Sequence, residues 1–565
     1  MTQTFHVILI KPVRYDEDGY PIQWRKAVYP SLALSVLSAL SEDCAARQIL
    51  GPDIRIVTEA WDDQCGLPPV KKMIRQIRNG GAGGMVGMVA VHTAQFPRCA
   101  ALARAFRAAG VPVVIGGSHV SGVMATSPSP PPELQDMLDI GVSLFLGEAE
   151  GRLDLLIKDA RAGKLKPVYN FAGQPVDLGT AILPSRLPEN VDKRIAWSMN
   201  PITPIEAGRG CPRKCSFCTV VNVHGREARS RKAETVAGYI RSSALKGRTR
   251  FLFTDDNFAR NRQWKEILEA MIRLREEEGH HFSFALQADT RSHLIPGFID
   301  LAVRAGCDQV FVGMESINPD SLASVHKDHN AVDNYLEFCL AWKKKGVIIL
   351  AGYILGFPGD TAARIRQDVE TIKEKLPVDL LYPFILTPLP GSEDHAVLKR
   401  NGVPLDPDLS RYTTFHATTP HPRMRGEELE ALYYEVFRIF YTDSHALRIM
   451  QRHLALGGDL ELLLPFMVVG LNAFPIEGVN PAEIGIFRMK SRKDRLSGLP
   501  LEKPVPFYLR RIRDNLKAQF TWYRQWKKFC RMAEYAKAHP ATLDDPALTM
   551  HGSVLTSVRP TDAQP

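Results

Sequence analysis

Three scarcities narrow what this 565-residue chain can be. Cysteine is sparse, nine in all, far too few for a fold stapled by disulfides. Long apolar runs are missing. The longest, Leu462 to Phe474, covers 13 residues and is broken by Pro465 and Asn472, short of the roughly 20 residues that span a bilayer. The start, Met1-Thr-Gln-Thr-Phe-His, has neither the basic stretch nor the apolar stretch of a secretory leader, so a reducing cytoplasm is the expected compartment. What is present is a globular composition, 45% hydrophobic and 24% charged, at a length that predicts two or three domains.

Short apolar runs alternate with helical patterns over residues 1–165. Phe5–Ile10, Ile54–Thr58, Met85–Val91, Val111–Ile115 and Leu144–Leu146 read as strands buried on both faces. Over Arg98–Ala109, Cys99, Leu102, Ala103 and Phe106 recur at helical spacing. The alternation predicts a doubly wound, Rossmann-like parallel sheet, which binds ligands beyond the C-terminal ends of its strands. Those ends are Lys11-Pro12, His92-Thr93, Gly116-Gly117-Ser118-His119 and Gly147-Glu148. Residues 166–200 lack periodicity and read as a linker. Over 201–395 six further strands, Thr203–Ala207, Arg250–Thr254, Phe282–Gln287, Gln309–Gly313, Ile348–Ile354 and Leu380–Leu386, alternate with helical segments. Six βα units predict a partial (β/α)6 barrel with its chemistry at the strand C-terminal ends. Helical patterns fill 396–540, and a proline-bearing tail, 541–565, is expected to be disordered.

Cys211, Cys215 and Cys218 fall within eight residues, directly after the first strand of the second series. Thiolates so placed can share one metal centre. Three are one short of a closed zinc site, for which His224 is the available fourth ligand. The C-x3-C-x2-C spacing, with Phe217 before the last cysteine, resembles the radical S-adenosylmethionine (SAM) superfamily. In that family three cysteines hold a 4Fe–4S cluster whose open iron chelates SAM. Reduction then releases a 5′-deoxyadenosyl radical that abstracts hydrogen from the substrate. The resemblance implies cluster ligation by Cys211, Cys215 and Cys218. It implies SAM contacts by Phe217, by Asp255, Asp256 and Asn257 after the second strand, and by Gln287 and Asp289 after the third. Glu315 and Ser316 follow the fourth strand, and Gly352, Ile354 and Gly356 belong to the fifth.

The N-terminal series, with Gly116-Gly117-Ser118-His119 and Gly147-Glu148, is similar to the cobalamin-binding domain that precedes many such barrels. That class includes hopanoid methylases and the anaerobic porphyrin-ring cyclase. The resemblance implies cobalamin contacts by Pro12, Thr93, Gly116, Gly117, Ser118, His119, Gly147 and Glu148. The Asp-x-His-x-x-Gly motif that supplies a histidine ligand to cobalt is missing, so a bound cobalamin is expected to lack one. No catalytic side chain is assigned. Cys44, Cys65 and Cys99 read as core residues, not a second cluster.

The formal charge of +9 is not spread evenly. Residues 488–537 hold fifteen Lys and Arg against four Asp and Glu, a local +11, which leaves −2 for the rest. Within that segment Ile512, Leu516, Phe520, Tyr523, Trp526 and Cys530 form a helical stripe, flanked by Arg511, Arg513, Lys517, Arg524, Lys527, Lys528 and Arg531. The stripe either packs on the barrel or meets a membrane surface. Nucleic acid is disfavoured, since no RNA-recognition signature accompanies the charge.

The expected function is cobalamin-dependent radical methylation of an unactivated carbon in a small, lipid-like metabolite, fed by a flavodoxin- or ferredoxin-like electron donor. Radical oxidation, cyclisation or rearrangement is the alternative among enzymes, and a zinc-stabilised binding protein the alternative outside them.

Overall fold

A computed structural model of the chain describes residues 3–184, 187–196 and 202–539. The tail 541–565 and residues 197–200 of the expected linker lie outside the described residues.

The first series contains β1 (Gln3–Lys11), β2 (Gln23–Ala27), β3 (Ile54–Asp62), β4 (Gly81–Met88), β5 (Val113–Gly116), β6 (Ser143–Leu146) and β7 (Val168–Asn170). All but β2 form one six-stranded parallel sheet in the order β3-β1-β4-β5-β6-β7. Side chains alternate across a strand, and β1 shows what that does here. Phe5, Val7 and Leu9 enter one hydrophobic core and Ile8 and Ile10 the other. The second core is closed by α1 (Phe96–Arg107), through the expected Cys99, Leu102, Ala103 and Phe106. The chain order reverses at β1 and β4, which makes their C-terminal ends the natural ligand crevice. There α2 (Ser118–Thr126) begins, next to the end of β5.

Two details depart from the sequence reading. The strand expected over 85–91 runs over 81–88 instead. A Cβ at Gly84 would lie 2.4 Å from the His6 carbonyl oxygen, so glycine lets β4 close on β1, while Ala90 turns the chain with φ +51°. Inside the expected linker, Val168–Asn170 adds a sixth strand beside β6. Three residues are too few to show a period.

The second series contains β8 (Thr203–Ile205), β9 (Gly208–Arg209), β10 (Arg229–Ser230), β11 (Arg250–Phe253), β12 (Ser283–Ala288), β13 (Cys307–Glu315), β14 (Ile348–Leu355) and β15 (Leu380–Ile385). Strands β8 and β11–β15 form a parallel sheet in chain order, with β8 and β15 as its edges. This is the expected open barrel of six strands. Phe253 and Phe284 meet edge to face inside it, ring centres 5.2 Å apart.

After α3 (Tyr335–Lys343) of the barrel, the C-terminal region adds α4 (Gly426–Phe440), α5 (Asp443–Ala455), α6 (Leu460–Glu477) and α7 (Pro504–Ala538). Their apolar faces join the barrel's own core through Leu432, Val436, Ile449, Met450, Leu463 and Met467. Strands do not stop at residue 392, as the helical patterns suggested. β16 (Gly485–Met489) pairs antiparallel with β2, over 450 positions away, and the pair encloses the fully buried Trp24. Helix α6 extends the apolar run 462–474 to 18 residues, long and apolar enough by length and composition to cross a membrane. Here Leu463, Met467 and Ala473 of that helix are buried within the fold.

The stripe on α7 does not pack on the barrel. Ile512, Leu516, Phe520, Tyr523 and Trp526 are exposed, and the helix is buried only at Phe507, Phe529, Ala533 and Ala536. An apolar period identifies a face but not whether something covers it, and two alanines contribute half of the buried positions.

Under the barrel, Lys343 Nζ on α3 lies 2.9 Å from both Asp379 oxygens and 3.2 Å from His453 Nδ1 on α5, all fully buried. Lys343→Met strands a buried carboxylate and is expected to cost about 3–5 kcal/mol in urea unfolding. Adding Asp379→Leu should recover part of that loss.

Candidate active site

The antiparallel pairing of β9 with β10 closes the ends of the loop that bears the three cysteines. The loop can leave β9 only through glycine. Gly210 has φ +92°, and a Cβ there would lie 2.1 Å from the Glu227 carbonyl oxygen. The loop is then pinned along its length. Cys211 N–H donates to Gly225 O (3.3 Å), Cys218 N–H to Cys215 O (3.1 Å), Ser216 N–H to Val325 O (3.1 Å), and Asn222 Nδ2 to Gly391 O (2.7 Å). Cys211, Cys215 and Cys218 are free and half-buried, and burial raises all three thiols, Cys218 to about 12. They stay protonated until a metal displaces the proton.

Among the described residues no three His, Cys, Asp or Glu side chains are grouped to hold a single metal ion. His224, which a zinc site would need, gives Nδ1 to Asp256 Oδ2 at 3.1 Å. As placed, these side chains are not gathered into a closed zinc site. Three half-exposed thiols on one pinned loop suit a polynuclear centre, where each sulfur binds its own iron.

The expected SAM contacts sit on neighbouring barrel strand ends and divide by exposure. Asp255 is buried and accepts from Ala207 N–H (2.7 Å) and Asn261 Nδ2 (3.1 Å), which ties the end of β11 to that of β8. Burial raises its pKa to about 7. Asp256 is half-buried and accepts from Gly210 N–H at 2.8 Å. Asn257 Nδ2 donates to Asp289 Oδ2 (3.2 Å), while its buried Oδ1 has no partner. Asp289 also accepts from Arg213 (2.8 Å) and Arg260 (2.8 and 3.0 Å). Burial alone would raise its pKa, but the two guanidiniums hold it well below the usual carboxylate range.

Glu315, at φ +64°, takes Lys327 Nζ at 2.5 Å, and that ammonium stands 5.8 Å from the centre of the Phe217 ring. Burial opposes the lysine's charge, yet Glu315 outweighs it and raises its pKa. Gly313 leaves the room, since a Cβ there would meet Glu315 Oε1 at 2.4 Å. Phe217 packs with Ile354, Phe357, Phe384 and Leu386 into an apolar wall. Gly352 is buried among Phe311, Phe384 and Glu315, and Gly356, at φ +89°, gives its N–H to Asp360. Ser316 Oγ accepts from Asn318 N–H, and Gln287 is half-buried on β12.

On the first sheet, Thr93 and the segment Gly116–His119 meet at the ends of β4 and β5. His119 is buried on Phe96, ring centres 4.7 Å apart, with Nδ1 at Thr93 Oγ1 (3.2 Å) and no partner at Nε2. Burial pulls its pKa down to about 3. His92 Nδ1 meets Ser118 Oγ at 2.8 Å. Gly117, at φ +143°, passes so close to Val91 that a Cβ would lie 2.2 Å from its nitrogen. Pro12 is buried just beyond β1, and Gly147 N–H donates to Ser121 Oγ (3.1 Å). Glu148 reaches across to the barrel instead, with Arg229 at 2.7 Å and Arg209 at 3.2 Å. Burial opposes its charge, but the arginines lower its pKa to about 2. A cavity of about 250 Å³ lies beside the cysteine loop, walled by Ser121, Gly147 and Phe171 of the first series and by Asn222, His224 and Arg229 of the segment that follows the cysteines.

Sequence reasoning missed Arg213, Arg260, Lys327 and His224 as partners of the expected carboxylates. Arg213 stands within the cysteine motif, and Lys327 follows Glu315 by 12 residues. Neither spacing has a period that would have singled it out.

Residues 205–372 match the family model of the Radical SAM superfamily. Bacteriochlorophyllide d C-12(1)-methyltransferase of Chlorobaculum tepidum is 28% identical over 351 residues, covering 61% of this chain and 72% of its own length. Hopanoid C-2 methylase of Rhodopseudomonas palustris is 27% identical over 286 residues, 49% of this chain and 51% of its own. In fold the chain resembles the radical SAM methyltransferase TsrM of Kitasatospora setae, solved with cobalamin and a 4Fe–4S cluster. The TM-score is 0.57 at 16% identity, over 79% of this chain and 90% of that one. It also resembles the cobalamin-dependent radical enzyme OxsB, with a TM-score of 0.55 at 13% identity, over 96% and 82%.

The raised pKa of Asp255 has a signed consequence. The folded state holds this proton more tightly than the unfolded chain, so the stabilisation is complete below about pH 4 and lost as pH rises towards 7. Asp255→Asn should remove that slope. Urea unfolding of both proteins across this range is expected to show the wild type losing stability relative to the variant as pH rises.

Proposed function

We propose that this chain, whose residues 205–372 match the Radical SAM superfamily, methylates an unactivated carbon of a small hydrophobic metabolite with the help of cobalamin. The observation that carries this reading is that the segment after the three cysteines, with Asn222, His224 and Arg229, faces the loops after β6 and β7 of the first sheet, with Gly147 and Phe171, across one cavity. Named methyltransferases among the relatives favour methyl transfer over other radical chemistry.

In this reading Cys211, Cys215 and Cys218 hold the 4Fe–4S cluster, the barrel strand ends from Asp256 to Gly356 hold SAM, and Pro12, Thr93 and Gly116–His119 border cobalamin. When bound, the cluster supplies the electron that turns SAM into a hydrogen-abstracting radical, and cobalamin supplies a methyl group that a carbon radical can accept.

The chain's own residues bind, orient and exclude water. Asp256 is held in place by Gly210 N–H and His224, ready to accept from a ligand ammonium. Glu315 is oriented by Lys327. Arg213 and Arg260 fix Asp289 against the third strand end. Phe217, Ile354 and Phe357 form a dry wall beside the thiols. His119 is buried on Phe96 and His92 is bonded through Nδ1 to Ser118, and in this reading, with the Asp-x-His-x-x-Gly motif missing, neither supplies a ligand to cobalt. The partners are the hydrophobic substrate, a flavodoxin- or ferredoxin-like electron donor and, through residues 488–537, a membrane surface.

The test is anaerobic reconstitution with iron and sulfide, then incubation with reductant, methyl-labelled SAM and an organic extract of the source cells. Label in an extract component, together with 5′-deoxyadenosine and S-adenosylhomocysteine, is the expected result. 5′-Deoxyadenosine without transferred label would exclude methylation. Cys211→Ala, Cys215→Ala or Cys218→Ala should each abolish both bound cluster and SAM cleavage, read as iron content and 5′-deoxyadenosine yield.

A further inference from the structure

A second cavity lies away from the cysteines. It measures about 670 Å³ and opens between α6 and α7, where Arg250 begins β11 and Ile202 precedes β8. These are the N-terminal ends of the barrel strands, opposite the chemistry. Its wall is mainly apolar and aromatic, with Tyr29, Tyr382, Phe466, Val469, Trp522 and Trp526 prominent. Its volume is in the range of sites that bury a whole organic ligand.

Two of its lining residues also belong to the outer face of α7. Tyr523 and Trp526 continue the exposed line of Leu509, Ile512, Leu516 and Phe520, of which Leu516 is 66% and Phe520 62% exposed. The apolar surface therefore runs unbroken from solvent into the cavity. So large an exposed apolar strip requires a partner.

Charge and composition say which. Arg524 stands 5.8 Å from the ring centre of Phe520, and Lys527 5.9 Å from that of Tyr523, so cations and rings share one face. The surrounding segment 488–537 carries +11. A 35-residue helix, about 52 Å long, with an apolar line rimmed by Arg and Lys has the make-up of a helix lying in a lipid headgroup layer. A protein partner would have to match both the grease and the charge, whereas an anionic bilayer supplies both at once.

We propose that α7 lies on an anionic lipid bilayer and that the cavity between α6 and α7 takes up one acyl chain of a lipid from it. The inference rests on the membrane reading of residues 488–537 and is independent of methyl transfer. Bilayer contact then comes from the α7 face, and the apolar helix α6 forms the inner wall of the chain's channel.

The test uses the full chain without SAM or cluster, so its failure is separate from any failure of the proposed chemistry. Sedimentation is measured with phosphatidylcholine vesicles, with and without phosphatidylglycerol, at low and physiological salt. Binding is expected only with phosphatidylglycerol and weaker at higher salt. Lys517→Gln or Arg524→Gln should each weaken it about fivefold, and Leu516→Asp with Phe520→Asp should abolish it. Those side chains are exposed, so the fold survives, checked by an unchanged melting temperature. Native mass spectrometry of protein recovered from the vesicles should find one lipid per chain. Val469→Phe should remove that lipid while leaving sedimentation intact.

No binding to phosphatidylglycerol vesicles at low salt overturns the proposal, as does equal binding by the double aspartate variant. A wild type that retains no lipid, or a Val469→Phe variant that retains as much as the wild type, overturns the cavity assignment. Preferential binding to a mixed-sequence RNA overturns the lipid surface. So does a stable dimer, without vesicle binding, that the aspartate variant splits.

Discussion

The arrangement of the site depends on one guanidinium. Arg209 stands two residues before the first cysteine and meets Glu206 at 2.6 Å, Glu150 at 2.5 Å and Glu148 at 3.2 Å. Arg229 and Arg231 complete the network on Glu148 and Glu206, each at 2.7 Å. Buried charges are tolerable only when matched and hydrogen-bonded, and here three arginines answer three carboxylates. Two of those carboxylates follow β6 of the first sheet, and all three arginines belong to β9 and β10 or follow directly. The same network thus fixes the root of the cysteine loop and the distance between the two sheets. A second contact needs no side chains at all: a Cβ at Gly391, φ +100°, would lie 2.5 Å from the Cα of Gly122 on α2. Backbone meets backbone there, so the cleft has a charged hinge side and a bare one.

The barrel separates two kinds of surface along its axis. The C-terminal strand ends gather carboxyl groups held by specific partners, as Lys327 holds Glu315. The N-terminal ends are covered by α5 and α6, and there the ion pairs of Lys343 with Asp379 and of Arg250 with Asp308 stand among aromatic and aliphatic walls. Parallel strands make this division available, because all their carbonyl ends point one way.

What could be read from the sequence was what repeats or clusters locally. The strands of both sheets alternate with helices at regular spacing, and β11 to β15 lie within two residues of their expected bounds. The three cysteines announce themselves by proximity. What escaped depends on partners far along the chain or on conformation. β2 becomes a strand because Gly485–Met489 pairs with it, and neither segment is long enough to show alternation. Glu148 reads as a strand-end ligand residue, yet Arg229, 81 positions later, takes both its oxygens. The α7 stripe was visible as a stripe, but its exposure follows from Phe529, Ala533 and Ala536 having taken the inner face.

The ribbon of β2 and β16 has a consequence for how the chain comes to be folded. Residues 23–27 leave the ribosome early, and their partner arrives only after residue 489 has emerged. At synthesis rates of about 5–20 residues per second, that interval is tens of seconds. Throughout it Trp24, fully buried in the finished molecule, has no Gly485 backbone to lie against, and an edge of unpaired amides stays open. All six strands of the first sheet lie within residues 3–170, so they are all synthesised while that edge is still unpaired. A nascent chain of this kind is one that a chaperone would need to attend until its last third is complete.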